Sequence, residues 1–263
     1  MSTIQAFILG IIQGLTEFFP ISSSGHLQLG QYFLGLTNLE HYILFDLICH
    51  LGTLFALVIV FAQNIRNLFA GDRTRLQQVI LGTLPLFPLV LLMKPIKALF
   101  DQPQYIGYCF LFTALLLSLG IRAQHKQIQP SNRPWRDALY IGMFQAVAIL
   151  PGISRSGSTI SGAQMIGWKR QDAISFSFLL AIPAILGGLT LETLKLLQTG
   201  SSASTHIPSV GFLQYFTGFL TSFVMGYFAL QWLIKLAAKD KFVYFVWYCG
   251  IIGIASILYF ANS

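Results

Sequence analysis

Glu17 and Arg155 each interrupt a stretch of apolar sequence, and each is flanked by small hydroxylated residues. The first neighbourhood reads Gln13, Glu17, Pro20 and then Ser22-Ser23-Ser24-Gly25-His26. The second reads Pro151-Gly152-Ile153-Ser154-Arg155-Ser156-Gly157-Ser158-Thr159. Gln13 and Glu17 are four apart and share a helical face. Pro20 cannot continue that helix, and the serines after it suit the start of a new one. A helix start leaves amides free, and its dipole favours negative charge, so each serine run is an anion site. Arg155 adds a guanidinium able to clasp phosphate oxygens in pairs. Two such sites brought together fit a ligand with two phosphates. The chemistry these residue types offer is phosphate transfer: charge neutralisation, a hydroxyl oriented near His26, and a proton for the leaving group, with Glu17 able to orient His26 or hold a metal. Spacing alone does not choose the attacking group among Ser22, Ser23, His26 and water.

The two neighbourhoods are copies of one template. GIIQGLTEFFPISSSGHLQLG, from Gly10, aligns without a gap on GMFQAVAILPGISRSGSTISG, from Gly142, with seven of 21 positions identical. Where the copies differ, they differ in chemistry: Glu17 faces Ile149, Ser23 faces Arg155 and His26 faces Ser158. One half supplies acid and imidazole, the other the guanidinium, which is the pattern of a site assembled from two halves of a duplication.

The elements that must carry these residues lie in lipid. The chain of 263 residues is 55% hydrophobic and 10% charged, against about 25% charged in soluble domains. Long apolar runs cover 42–62, 79–93, 105–121, 173–192, 211–234 and 243–261. Runs 4–19 and 138–150 break at the repeated Pro/Gly/Ser segments and resume briefly at 27–36 and 160–167. Lys and Arg concentrate in loops 63–78, 122–136, 168–172 and 235–241. Placing those four loops on the cytoplasmic side requires 138–167 to dip into the membrane and return. The first copy, 4–36, is then also re-entrant but enters from the opposite face. The expectation is an all-α membrane protein with six spanning helices and two re-entrant helical hairpins. It forms a single domain over 1–263, with inverted-topology repeats of about 1–121 and 138–263 and both termini outside. A carboxylate and a guanidinium at that depth mark function by default. The net charge of +7 follows from cytoplasmic loops and gives no reason to expect nucleic acid as a partner. The start of the chain has no Lys or Arg within 20 residues and does not read as a cleavable leader. Cys49, Cys109 and Cys249 have no metal-ligand spacing and read as packing residues. Gly10 and Gly14 read as a close-packing face. Asp46 and His50, four apart, are expected to pair with each other or to support the site from behind.

The two motifs resemble the paired signatures of the bacterial undecaprenyl-diphosphate phosphatase family, the integral-membrane type tied to bacitracin resistance. Its first signature, an (E/Q)xxxE helix, a proline and a Ser-Ser-x-Gly-His turn, matches Gln13 to Glu17, Pro20 and Ser22 to His26. Its second, PGxSRSxxT, matches Pro151 to Thr159. The resemblance implies hydrolysis of undecaprenyl diphosphate, a polyprenyl lipid, in the bacterial cytoplasmic (inner) membrane. The active site would open on the outer face, and the product would be the recycled lipid carrier of cell-wall synthesis. It implies Glu17 as essential acid and metal contact, Ser23 as nucleophile, His26 as its acid/base partner and Arg155 as phosphate clamp. Ser154 and Thr159 would support, with Ser22, Ser24 and Ser156 among the substrate-binding residues. The implied cofactor is Mg²⁺ or Ca²⁺, with Gln13 contributing a carbonyl oxygen where many relatives carry a glutamate. PAP2-type lipid phosphatases are excluded, because no histidine follows Ser154-Arg155 at their spacing. The rival of another class is a polyprenyl-phosphate carrier or flippase without hydrolysis.

Overall fold

The structure, a computed structural model, describes residues 1–36, 39–89, 103–125, 133–199, 210–239 and 241–262. Those residues are all-helical. The helices are α1 Thr3–Phe18, α2 Ser23–Phe33, α3 Ile43–Val60, α4 Ala62–Ala70, α5 Arg73–Thr83, α6 Ile106–His125, α7 Pro134–Val147, α8 Arg155–Met165, α9 Arg170–Thr199, α10 Phe212–Ala238 and α11 Val243–Ala261. Among the described residues, five segments are long and apolar enough to cross a bilayer: Ile43–Val60, Pro103–Gln124, Arg170–Lys195, Phe212–Ala238 and Val243–Ala261. Their outward faces are apolar, with Trp247 and Ile251 each 67% exposed. Such a surface suits lipid and not water, so this is a multi-pass membrane protein. The expected crossing at 79–93 runs past α5 into 90–102, outside the described residues.

Both template copies break where the sequence places the break. In the first, α1 starts with a capping box between Ser2 and Gln5 and ends at Phe18, before the extended Phe19 and Pro20. Ser22 then caps α2 by accepting from the Gly25 amide at 3.4 Å. In the second, α7 begins with Pro134 in its first turn and ends at Val147. Ser154 caps α8 by accepting from the Gly157 amide at 3.0 Å. The turns differ in backbone. Ser22 has φ 71°, the only positive-φ residue other than glycine among the described residues, whereas the second turn places its positive φ at Gly152, 92°. The left-handed conformation costs a serine about 1–2 kcal/mol, so neighbouring contacts hold it there.

Packing is set by glycines. A Cβ on Gly14 would lie 2.6 Å from Met225 Cβ and 2.8 Å from the Ser222 carbonyl, so α1 and α10 touch backbone to backbone. A Cβ on Gly142 would lie 2.5 Å from the Gly82 carbonyl, which brings α7 equally close to α5. Gly107 and Gly253 do the same for α6 and α11. Helix α8 is polar in sequence yet buried from Ser156 to Gln164. It is enclosed by α6, α7 and α9, the only setting in which a short polar helix is tolerated at membrane depth. The core around it includes Phe18, Phe61, Phe176 and Phe178. Cys49, Cys109 and Cys249 are buried and free.

Gly14→Ala is expected to destabilise the protein by about 1–3 kcal/mol, because the added carbon overlaps α10. Gly187→Ala, on α9 with open space around it, is expected to be neutral or stabilising by up to about 1 kcal/mol. Thermal unfolding of the two variants in detergent, followed by circular dichroism, checks the contrast.

Candidate active site

Glu17 occupies the last turn of α1, where the helix stops at the seam between the two template copies. It is 7% exposed. Its Oε1 accepts from Arg155 Nη2 at 2.5 Å. Its Oε2 accepts from the Ser23 hydroxyl at 2.7 Å and from Gln13 Nε2 at 3.0 Å. The structure therefore gathers Gln13, Glu17, Ser23 and Arg155, from three helices and both copies, onto one carboxylate. Isolating a carboxylate from water costs several kcal/mol, which an adjacent guanidinium and further donors offset. Arg155 spends one nitrogen on this pair, while its buried Nη1 has no hydrogen-bond partner among the described residues. An unsatisfied guanidinium N–H beside a half-exposed serine is an invitation to an anion.

The remaining hydroxyls hold the two turns against each other. Ser24 Oγ accepts from the Gly152 amide at 3.3 Å. The corresponding Ser156 donates to the Phe19 carbonyl at 3.2 Å. Ser22 and Ser24 hydroxyls are 3.3 Å apart, as are those of Ser154 and Ser156. A Cβ on Gly25 would meet Gly152 at 3.0 Å, and one on the equivalent Gly157 would meet the Pro20 carbonyl at 3.3 Å. Pro20 and Gly152 are themselves equivalent positions of the template. Each copy thus presents to the other the contact it receives, the reciprocity of a two-fold interface.

Two sequence-predicted residues stand apart from the carboxylate. His26 was expected to partner Ser23, but Ser23 is engaged by Glu17. The His26 Nδ1–H donates to the Ser22 carbonyl at 2.7 Å, and Nε2 accepts from the Tyr248 hydroxyl at 2.7 Å. The ring stacks on Tyr248, 5.6 Å between centroids and 14° between planes, with Phe110 edge-on at 4.9 Å. Thr159, fully buried, bonds to the Ser177 hydroxyl at 2.6 Å and to the Arg155 carbonyl at 2.9 Å. It fixes α8 on α9. Of the two expectations for Asp46 and His50, pairing through both side chains is not observed. The Asp46 carboxylate accepts from Gln31 Nε2 at 3.0 and 3.1 Å, and only its backbone carbonyl meets His50, at 2.7 Å from Nδ1. In a helix the carbonyl four residues back is the nearer partner for a histidine ring. His50 Nε2 instead faces Glu17 Oε2 at 3.7 Å.

Sequence reasoning missed Tyr248 and Thr113. Thr113 Oγ1 accepts from the Ser154 amide at 3.1 Å and so anchors the second turn on α6. A tyrosine or threonine in an apolar run carries no signal of its own.

Among the described residues, no three His, Cys, Asp or Glu side chains cluster at metal-holding distance. The donor set is nonetheless suited to a hard cation. Gln13 Oε1 is a buried acceptor without a partner, on the helical face that carries Glu17. A carboxylate and an amide oxygen, completed by substrate phosphates, make a usual Mg²⁺ environment.

These features define a class: a helical membrane protein whose two broken helix pairs bring an acid, a hydroxyl and an arginine into hydrogen-bond contact. A family model described as bacitracin resistance protein BacA matches residues 6–255. The chain is 56% identical over 260 residues to the undecaprenyl-diphosphatase of Protochlamydia amoebophila, covering 99% of each. It is 38% identical to those of Carboxydothermus hydrogenoformans, over 260 residues (98% of this chain, 97% of the relative), and Christiangramia forsetii, over 270 residues (98% of each). The chain belongs to the BacA family of bacitracin resistance proteins.

Arg155→Ala is expected to lower stability by about 3 kcal/mol, because it leaves the Glu17 charge buried with only neutral donors. Adding Glu17→Gln recovers part of that loss, giving a coupling of about 2 kcal/mol. A double-mutant cycle of unfolding in detergent measures it.

Proposed function

We propose that this protein hydrolyses undecaprenyl diphosphate to undecaprenyl phosphate and inorganic phosphate. The reaction recycles the lipid carrier for cell-wall synthesis and confers resistance to bacitracin. The observation that carries the reading is the single buried carboxylate of Glu17, hydrogen-bonded at once to Ser23 of one repeat and to Arg155 of the other.

The hydroxyl of Ser23 lies 2.7 Å from Glu17 Oε2, within the reach required of a general base. As Ser23 Oγ forms its bond to the terminal phosphorus, its proton passes to Glu17. The bond from phosphorus to the bridging oxygen breaks, and that oxygen leaves with the electron pair as polyprenyl phosphate. Such a leaving group needs no strong acid. Water then attacks the phosphoserine, Glu17 passes the proton back to Ser23 Oγ, and phosphate departs. Arg155 holds Glu17 through Nη2 and offers Nη1 to the charge that builds on the phosphate oxygens. The first-turn amides of α2 and α8 add their dipoles. His26, bonded to Tyr248 and the Ser22 carbonyl, orients the start of α2 and so the serines. Gln13 and Glu17 would hold a Mg²⁺ or Ca²⁺ ion, which when bound neutralises phosphate charge.

The topology that suits this reaction is a single domain of six crossings and two re-entrant hairpins, with repeats 1–121 and 138–263 inverted and both termini outside. The reciprocal contacts of the two turns support the inversion. Twelve of the sixteen Lys and Arg residues fall in the four loops assigned to the cytoplasm, which supports the orientation and a site open to the outer face.

Purified protein in detergent is expected to release phosphate from a polyprenyl diphosphate. Arg155→Ala and Ser23→Ala are each expected to cut the rate at least about 100-fold. Lipid diphosphate binding without release by the intact protein would instead make it a carrier. EDTA is expected to abolish release, and added Mg²⁺ or Ca²⁺ to restore it; an unchanged rate in EDTA removes the metal from the reading.

A further inference from the structure

We infer that His50 is a ligand of the divalent cation at Gln13 and Glu17, making the site a mixed oxygen–nitrogen one. The inference rests on the metal-assisted reading above and adds to it a residue outside both signature motifs. His50 lies on α3, the fourth element to converge on Glu17. Its Nδ1 is 2.7 Å from the Asp46 backbone carbonyl. A carbonyl only accepts, so Nδ1 carries a hydrogen, and Nε2 is the ring nitrogen left to hold a metal. That nitrogen faces Glu17 Oε2 at 3.7 Å.

With the ring neutral, these are two acceptors pointed at each other, unstable unless something positive lies between them. The spacing is too wide for a direct hydrogen bond, which needs about 2.7–3.2 Å. It is close to the separation of neighbouring ligands on one cation, roughly 3.0–3.5 Å for metal–ligand bonds of about 2.1 Å. A second acceptor makes the same demand independently. Gln13 Oε1 is buried and has no hydrogen-bond partner among the described residues, and its amide is already placed against Glu17 Oε2. His50 Nε2 and Glu17 Oε2 thus face each other, while Gln13, which gives its NH2 to the same carboxylate oxygen, keeps an amide oxygen free for a cation. A ring N–H held by a backbone carbonyl is the usual outer support of a metal-bound histidine, because it fixes both tautomer and ring orientation. The Asp46 carboxylate, occupied by Gln31, does not compete for that ring. The His50 side chain is 29% exposed, which leaves an entry path.

The donor set also predicts selectivity. An imidazole favours Mn²⁺ and heavier first-row ions over Mg²⁺ and Ca²⁺, whereas an all-oxygen set favours the latter. His50 would compensate for the missing second carboxylate at position 13 with a nitrogen in place of a charge.

The test is pulsed electron paramagnetic resonance of Mn²⁺ bound to the full-length protein in detergent. The wild type, grown with ¹⁴N- or ¹⁵N-histidine, is expected to show nitrogen modulation of one directly bound imidazole that changes with the label. His50→Gln is expected to keep Mn²⁺ but to bind it at least about tenfold more weakly, to lose the nitrogen signal, and to narrow the preference for Mn²⁺ over Mg²⁺. Mn²⁺ bound without nitrogen modulation in the wild type overturns the His50 assignment and leaves the Gln13–Glu17 site standing. A nitrogen signal that persists in His50→Gln also overturns it. Absence of any Mn²⁺ binding overturns both. The isotope comparison needs no mutation, so a variant that fails to fold does not rescue the inference.

Discussion

A buried carboxylate must be neutralised or surrounded by donors, and the architecture around Glu17 answers that demand. The acid is delivered by the end of α1, and neutralisation comes from Arg155, 138 residues later in the chain. Neither charge is stable at depth alone, so each half of the molecule is incomplete without the other. That dependence explains why the helices break where they do. A continuous helix would satisfy its own backbone and leave no amide or capping serine to face a partner. Broken at Pro20 and at Gly152, the two copies turn their polar ends inward and bury them against each other.

The seam between the copies is made of atoms small enough to let backbones meet. Gly25 against Gly152 and Gly157 against Pro20 are packed so tightly that a side chain would need the neighbour to give by a few tenths of an ångström, and Ser24 and Ser156 stitch the same contact with hydrogen bonds to backbone. Retention of Ser and Gly at identical template positions thus has a packing cause, separate from any chemistry. The positions free of this constraint are those where the copies diverge, and they hold the acid, the guanidinium and the histidine. The shared positions supply the frame, and the asymmetric residues give it a chemical polarity.

The broken helices, the glycine faces and the convergence of Gln13, Glu17, Ser23 and Arg155 were legible in the sequence, because each follows from a local rule repeated twice. Partners contributed by distant helices were not. His26 looked like the companion of Ser23 by adjacency, yet its two ring nitrogens are taken by the Ser22 carbonyl and by Tyr248, 222 residues away. Thr159 looked like a site residue by motif and instead bonds to Ser177. His50 was visible only as a neighbour of Asp46, since the approach of α3 to α1 is set by Gly52 and Gly14 packing on α10 and leaves no mark near position 50. The expected crossing at 79–93 falls partly outside the described residues.

The three thiols have a practical corollary. Cys49, Cys109 and Cys249 are sealed inside the bundle, where a bulky, membrane-impermeant maleimide has no access in the folded state. The native chain is therefore a silent background for labelling. A single cysteine introduced in any loop would report by itself which side of the bilayer that loop faces, with no need to strip the natural ones and disturb the interior they fill.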